Sequence, residues 1–141
     1  MEPVYYRTKS GALPVKEYLS RYSRLKKDQD KKVTEKLRKF FKIKSVIKHA
    51  TENNGIAGGE FSSPLLNYPF QEFRIPENDR VVRILYFCYE RAMLVLLNAF
   101  DKPKIYEKGK QHRKNEKEYK VTKCFYDDFV KNPNQYEKFE Q

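Results

Sequence analysis

The stretch RVVRILYFCY, at residues 80–89, has the composition of a β-strand, because β-branched and aromatic residues fill it and neither Gly nor Pro interrupts it. One residue is out of place. Arg83 stands between Val82 and Ile84, where a sheet that is buried on both faces normally carries an aliphatic side chain. A buried charge is costly without a partner, so Arg83 needs either an acidic neighbour in the sheet or an anionic ligand.

Two further strands are predicted on either side of this one. FQEFRI, at residues 70–75, precedes it across the turn PENDR, and AMLVLLNAF, at residues 92–100, follows a tight turn at Glu90 and Arg91. Sequential strands with such short connections form an antiparallel meander. Side chains alternate between the faces of a strand, so Glu72 and Arg74 share one face of FQEFRI.

Helices are predicted before and after this meander. PVYY near the start of the chain is a short strand, and Pro14 suits the first turn of the helix PVKEYLSRY. Apolar residues at helical spacing predict two more helices. A longer amphipathic helix contains Val33, Leu37, Phe40, Phe41, Ile43 and Ile47, and a C-terminal helix contains Val121, Phe125 and Phe129. The prediction is an α+β fold, in which an antiparallel sheet of the N-terminal strand and the meander is packed by two N-terminal helices, with a helix at the C-terminus.

The length of 141 residues favours a single domain over residues 1–141, with 103–141 as a basic C-terminal extension. The chain holds 30 Lys and Arg against 19 Asp and Glu, a net charge of +11, which favours a polyanionic or acidic partner. Residues 20–50 and 102–123 carry most of the excess. A solvated helix face explains the first segment better, whereas a nucleic-acid contact and a solvated surface explain the second equally well.

Several classes of function lack their sequence signatures. No phosphate-binding loop, dinucleotide-binding glycine motif, zinc-protease motif or serine-hydrolase motif occurs, and we expect neither a metal nor a cofactor. Cys88 and Cys124 have neither the number nor the spacing of a disulfide scaffold or a zinc site, so we expect buried free thiols. His49 and His112 are expected at the surface. The chain shows no membrane-spanning run and no signal peptide, which predicts a cytoplasmic protein.

The remaining candidates for chemistry are five cationic side chains and one amide, which lie on the predicted strands or just beyond them. Arg74, Arg80, Arg83, Asn98, Lys102 and Lys104 are the members of this group. Neighbouring strands lie about 4.8 Å apart, so such side chains can converge on one sheet face, where guanidinium groups bind phosphates with two hydrogen bonds each. The alternative is structural, with Glu72 pairing with Arg74 or Arg83 across the strands.

The pattern EFR, DRVVRILYF and LLNAFDK resembles the core of RelE/ParE-superfamily toxins, in particular their HigB-like branch. That branch shows an Arg-bearing strand, an Arg-x-x-Tyr strand and an apolar strand that ends in His-x-Phe-x-Lys; the matching residues are Phe73, Arg74, Arg83, Tyr86, Asn98, Phe100 and Lys102. The opening VYYRTKSGALPVKEYL is similar to the N-terminal strand and helix of the family. The resemblance covers residues 4–102 and implies a RelE-like fold.

The resemblance implies the toxin of a type II toxin–antitoxin system, a ribosome-dependent mRNA endoribonuclease in which the 2′-hydroxyl attacks the adjacent phosphate without a metal. The implied partners are a helix-turn-helix, HigA-like antitoxin, the ribosome and mRNA, with operator DNA reached only through the antitoxin. The implied catalytic residues are Arg74, Arg83, Lys102, Asn98 and Tyr86, and the expected RNA-binding residues are Arg80, Lys104, Lys108, Lys110 and His112.

The sequence departs from the family at two places. Asn98 replaces the usual His, and an amide cannot exchange protons near neutral pH. The residues after Lys102 also lack the usual basic stretch with Thr and Pro, which leaves Tyr86, Lys104, Tyr106 and His112 as candidates for proton transfer. Two other functions stay open, namely a non-catalytic ParE-like inhibitor of DNA gyrase and a basic nucleic-acid-binding module.

Overall fold

The computed structural model describes residues 1–23, 30–57, 61–77, 80–103 and 108–140, and only the backbone at 23, 30–34, 103 and 108. It contains three helices and six strands within these ranges. In chain order they are β1 (Glu2–Tyr6), α1 (Pro14–Ser23), α2 (Asp30–Glu52), β2 (Ser62–Pro64), β3 (Gln71–Pro76), β4 (Arg80–Tyr89), β5 (Met93–Pro103), α3 (Lys108–Lys131) and β6 (Tyr136–Lys138).

The strands form one six-stranded mixed sheet in the order β2-β3-β4-β5-β1-β6. The strands β3, β4 and β5 pair antiparallel in chain order, as predicted for the segments around residues 80–89. The prediction of a purely antiparallel sheet is wrong, because β1 pairs parallel to β5 with Val4 opposite Val95. The edge strands β2 and β6 were not predicted. Each has three residues, which is too short for a repeating pattern of side chains.

Helices α1 and α2 cover one face of the sheet. Their apolar side chains pack against the inward side chains of the strands, since β-strand side chains alternate between the two faces. The buried residues of this layer include Val15, Tyr18, Leu19, Ile43, Ile47, Ala50, Phe73, Ile75, Val82, Ile84, Tyr86, Leu94 and Leu96. The confirmed part of the prediction is therefore an α+β fold with two N-terminal helices against the sheet.

Helix α3 covers the opposite face, so the sheet lies between two helical layers. The buried residues here are Val4, Tyr6, Phe70, Leu85, Phe87, Val95, Leu97, Phe100, Tyr119 and Phe129. The helix begins at Lys108, well before the predicted apolar repeat at Val121, and Val121 itself is 38% exposed. The buried stripe passes instead through Tyr119, Thr122 and Phe129, at the spacing of one helix face.

Three turns of the described chain place residues in the left-handed backbone region, at Gly11, at Asn54 and Gly55, and at Glu90 and Arg91. Glu90 and Arg91 have φ angles of 51° and 59° in the tight turn between β4 and β5, which the Ala92 N–H closes by donating to the Tyr89 carbonyl at 3.0 Å. Gly55 follows the end of α2 with a φ of 86°. A left-handed conformation costs little for Gly and more for residues with a Cβ.

Two further features bear on the predictions. Cys88 is half-buried and Cys124 is exposed on α3, so the prediction that both thiols are buried is wrong for Cys124. The stripe of α3 that faces the sheet does not include position 124. In the described parts of the chain, none of the helices combines the length and the apolar composition needed to cross a membrane.

Candidate functional site

The predicted catalytic residues lie mostly on the sheet face that α3 covers, in two rows across the strands. One row places Arg74 of β3 opposite Arg83 of β4, and Arg83 opposite Phe100 of β5. The neighbouring row places Glu72 opposite Leu85, and Leu85 opposite Asn98. Alternation puts all these residues on one face, because each pair within a strand is separated by two positions.

Arg83 is buried and paired with Glu72. Its Nε atom lies 3.1 Å from Glu72 Oε1, and the two side chains are 7% and 3% exposed. This contact is an ion pair without the alignment of a hydrogen bond, since Nε makes none among the described residues. The guanidinium group also lies 6.0 Å from the centre of the Phe100 ring. Of the two partners that the sequence allows for Arg83, the folded chain supplies the acidic one.

Tyr119 of α3 joins this ion pair. Arg83 Nη1 donates a hydrogen bond to the Tyr119 hydroxyl at 2.9 Å, and that hydroxyl donates to Glu72 Oε2 at 3.0 Å. Burial, followed by the negative charge of Glu72, raises the pKa of Tyr119 to about 12, so the phenol stays protonated at neutral pH. We call Glu72, Arg83 and Tyr119 the buried cluster. It combines a carboxylate, a guanidinium and a protonated phenol within hydrogen-bonding distance.

Two side chains form the rim of the buried cluster. Arg74 is 48% exposed, and its Nε lies 3.7 Å from Glu72 Oε1. Tyr68 is half-buried, and its ring lies 5.6 Å from the ring of Tyr119. Its hydroxyl donates to Glu116 of α3 at 3.2 Å. The rim therefore presents one cation and one aromatic ring beside the cluster.

The Asn98 side chain hydrogen-bonds to residues of α3. Its amide donates to Glu118 Oε2 at 3.0 Å and to Thr122 Oγ1 at 3.1 Å, and its carbonyl oxygen accepts from the Ala99 N–H at 2.9 Å. The side chain is buried. These contacts account for an amide at this position as an anchor for the helix.

Tyr86 does not join the other predicted residues. It lies on the face of α1 and α2, where its ring stacks on Phe73 with centroids 3.8 Å apart. Its hydroxyl donates to the Gly55 carbonyl at 2.6 Å and bonds with Gln71 at 2.9 Å. Tyr86 is three positions from Arg83, and an odd separation places the two side chains on opposite faces. The expectation that they share a site is wrong.

The other predicted residues are spread over the end of the sheet and the start of α3. Arg80 Nη1 lies 3.3 Å from Asp101 Oδ2, and Asp101 also accepts from the Tyr18 hydroxyl on the α1 face. Lys102 is half-buried at the end of β5, two positions beyond Phe100 and on the same face. Lys110 and His112 are exposed in the first turns of α3, as is His49 in α2. Lys104, Tyr106 and the Lys108 side chain lie outside the described residues.

Tyr119 is the member of the buried cluster that the sequence did not predict. The signal was present, because positions 119, 122, 126 and 129 follow the spacing of one helix face, but the stripe was assigned from Val121 onward. No group of three His, Cys, Asp or Glu side chains that could hold a metal occurs among the described residues. Comparisons of the chain with protein-family models, with curated proteins and with solved structures find no match.

Proposed function

We propose that this chain is the toxin of a type II toxin–antitoxin system, a HigB-like member of the RelE/ParE superfamily that cleaves mRNA at the ribosome in the cytoplasm. The observation that carries the proposal is the Glu72 carboxylate, which lies between Arg74 and Arg83 and accepts a hydrogen bond from Tyr119. An acceptor, a donor and a cationic clamp are the groups that metal-independent RNA cleavage requires.

Each group has a role in that reaction. Glu72 takes the proton from the 2′-hydroxyl, whose oxygen attacks the adjacent phosphorus atom. The bond from phosphorus to the 5′-oxygen then breaks, which leaves a 2′,3′-cyclic phosphate, and Tyr119 donates a proton to the departing oxygen. Arg74 and Arg83 hold the phosphate and stabilise its additional negative charge in the transition state. The raised pKa keeps the Tyr119 hydroxyl protonated at neutral pH, so Tyr119 has a proton to donate and cannot act as the base.

This mechanism requires that the RNA phosphate can reach the buried cluster. Glu72 and Arg83 are at most 7% exposed beneath α3, so a phosphate reaches them only when α3 shifts away from the sheet. The rim is the natural point of entry. Arg74 is half-exposed there and can bind a phosphate first, while the ring of Tyr68 can stack on an unpaired base.

The charge of α3 supports an RNA partner. Residues 108–123 carry seven basic and two acidic side chains, and α3 packs across the same sheet face as the buried cluster. Ribosomal RNA attracts such a surface without reading its sequence. In this proposal Lys102, Lys104, Lys108, Lys110, His112 and Arg80 contact RNA, and a HigA-like helix-turn-helix antitoxin neutralises the toxin and alone contacts operator DNA.

A second candidate function is a non-catalytic, ParE-like inhibitor of DNA gyrase. The burial of Arg83 and the anchoring of Asn98 to α3 favour it, because both residues then have a purely structural role. In this case the basic surface and the rim bind the target protein, and no phosphate needs to reach Glu72.

Brief induction of the chain in growing cells, followed by mapping of RNA 5′ ends and of DNA breaks, tests both candidates. The main variant is Arg74→Ala, since Arg74 is half-exposed and its loss leaves the Glu72–Arg83 pair in place. The matched control is Arg38→Ala, an exposed arginine of α2 on the far side of the sheet. We expect new RNA ends within translated messages, lost in Arg74→Ala and kept in Arg38→Ala.

The other outcomes discriminate between the candidates. Growth arrest with intact messages and broken DNA supports the gyrase inhibitor and rules out the nuclease. Cleavage by Arg74→Ala at the wild-type rate shows that the rim is not the site. A chain that causes no arrest at all, although it accumulates in folded form, overturns the toxin proposal.

A further inference from the structure

A groove runs along α2 where the helix adjoins Pro3 of β1, Phe139 and the β4–β5 turn. Its first part is an apolar cavity of about 300 Å³ between α2 and the end of the chain, and its second part is a cavity of about 750 Å³ between the end of α2 and the β4–β5 turn. Lys48 lines both cavities, so they are neighbours along the helix. We call the two together the α2 groove, and its main lining residues are Pro3, Phe41, Lys44, Lys48, Arg91 and Phe139.

The apolar end of the α2 groove contains an exposed aromatic side chain. Phe41 is 62% exposed, although the neighbouring Ile43 and Ile47 bury the opposite side of α2 in the core. Phe139 forms the facing wall, where its ring lies 5.2 Å from the ring of Tyr5. Exposed aromatic residues beside a preformed cavity are typical of anchoring points in protein–protein interfaces.

The middle and the far end of the α2 groove are positively charged. Lys44, Lys48 and Arg91 line it, against the single carboxylate of Glu52. The ion pairs found in the described part of the chain include none of these three cations. Lys44 and Lys48 lie one helical turn apart and follow Phe41 along the same side of α2. The groove thus presents an apolar cavity and then a row of cations.

The length of the groove limits what it can hold. From Phe41 to Glu52 the helix rises by roughly 16 Å, at about 1.5 Å per residue. An extended peptide of about five residues covers that distance. The apolar cavity requires an uncharged group and the cations beside it require anionic ones, and an acidic amphipathic peptide of this length carries both.

We propose that the α2 groove binds an acidic, amphipathic segment of a partner protein, with one apolar side chain in the cavity between Phe41 and Phe139 and carboxylates against Lys44 and Lys48. The proposal goes beyond the toxin chemistry and does not depend on it, because α2 and the buried cluster lie on opposite faces of the sheet. Apolar burial supplies the affinity, and the lysines select an acidic partner.

The test is a selection of phage-displayed random peptides on the whole chain, followed by fluorescence anisotropy with the enriched peptides. Three variants are compared with the wild type: Phe41→Ser, the double variant Lys44→Glu/Lys48→Glu, and Arg38→Glu. The last reverses an exposed charge of α2 outside the groove and is the control. We expect enriched peptides with one apolar residue next to several Asp or Glu, whose affinity falls at least tenfold in the first two variants and less than twofold in the control.

Three results would overturn the proposal. One is a selection without enrichment, and another is a peptide that binds the control and the groove variants with equal affinity, which indicates non-specific attraction to the charge. The third is displacement of the peptide by a single-stranded RNA oligonucleotide whose own binding requires Phe41. Thermal unfolding confirms that each variant is folded; if Phe41→Ser does not fold, Lys48→Glu alone decides the outcome, since Lys48 is exposed and lines both cavities.

Discussion

Arg74 and Arg83 stand directly opposite each other in the β3–β4 ladder, and Glu72 lies within ion-pair distance of both. Like charges at directly opposed positions destabilise a sheet. The carboxylate at 3.1 Å from one arginine and 3.7 Å from the other offsets this repulsion. The three residues therefore act as one unit in stability, whichever function they serve.

The first prediction concerns Glu72→Gln, which keeps the shape of the side chain and removes its charge. Arg83 is then buried opposite Arg74 without a counter-charge, so we expect the free energy of unfolding to fall by about 3–5 kcal/mol. Urea unfolding measures the change. The control is Asp127→Asn, which breaks the exposed Lys123–Asp127 pair and should cost less than about 1 kcal/mol.

The double variant Glu72→Gln/Arg83→Met extends this prediction. Removing both charges should restore most of the lost stability, because the cost lies in the uncompensated guanidinium rather than in the missing contact. If Glu72→Gln alone proves as mild as Asp127→Asn, Arg83 reaches solvent and the buried cluster does not form in solution.

The second prediction concerns Tyr119→Phe. The variant loses the hydrogen bond that Tyr119 accepts from Arg83 and the one that it donates to Glu72, while the packing of the ring on Phe100 remains. We expect a loss of about 1–3 kcal/mol in chemical unfolding. Tyr126→Phe is the matched control on α3, and equal losses in the two variants would show that the hydrogen bonds of Tyr119 contribute nothing.

The third prediction follows from the same hydroxyl at alkaline pH. The pKa of Tyr119 is about 12 in the folded chain and close to 10 in an unfolded one, so the unfolded chain binds fewer protons between these values. The contribution of Tyr119 to stability should therefore be constant below about pH 10 and should be lost as the pH rises toward 12. Unfolding midpoints across this range should fall less steeply in Tyr119→Phe than in the wild type, and identical slopes would contradict the assignment.

The fourth prediction concerns Gly55→Ala. Gly55 has a left-handed φ of 86°, and a Cβ at this position would meet the sulfur of Cys88. Gly11 has a similar φ of 92° with open space around it, so Gly11→Ala is a control that reports the backbone strain alone, about 1–2 kcal/mol. We expect Gly55→Ala to cost more than Gly11→Ala in thermal unfolding, and Gly55→Ala/Cys88→Ala to remove the difference.

The fifth prediction is a stabilising change in the β4–β5 turn. Two successive left-handed residues define a turn that prefers Asn-Gly, whereas this chain has Glu90 and Arg91. The double variant Glu90→Asn/Arg91→Gly should raise the free energy of unfolding by about 1 kcal/mol. The control Glu90→Ala/Arg91→Ala removes the same charges but keeps a Cβ at both left-handed positions. A similar increase in the free energy of unfolding in this control would show that the effect comes from the charges.

The sequence pattern was sufficient for the elements that have many residues and a regular period. The predicted strand at residues 80–89 coincides with β4, and the helices at Pro14 and after Val33 form as expected. The direction of β1 relative to β5 could not be predicted, because the side-chain pattern of a five-residue strand is the same for parallel and antiparallel pairing. The start of α3 was missed because polar residues form its first three turns.

The candidate site could be predicted in part. The anomaly at Arg83 correctly indicated a need for a partner, and Glu72 was one of the two partners considered. The choice between them depended on α3, which supplies Tyr119 and covers the pair, and strand patterns carry no information about that helix. Tyr86 could have been placed correctly from the sequence. The alternation of side chains along β4 puts Tyr86 and Arg83 on opposite faces, but the family resemblance grouped them in one site.

The position of β1 in the sheet also has a consequence for folding. Its two neighbours, β5 and β6, lie roughly ninety and more than one hundred and thirty residues later in the chain. Contacts of such high sequence separation form slowly, since a long loop must close before they are gained. During synthesis the first strand therefore cannot pair until β5, roughly ninety residues later, has been made. Until β1 is in place the edge of β5 is unpaired, and such an edge can pair with another chain.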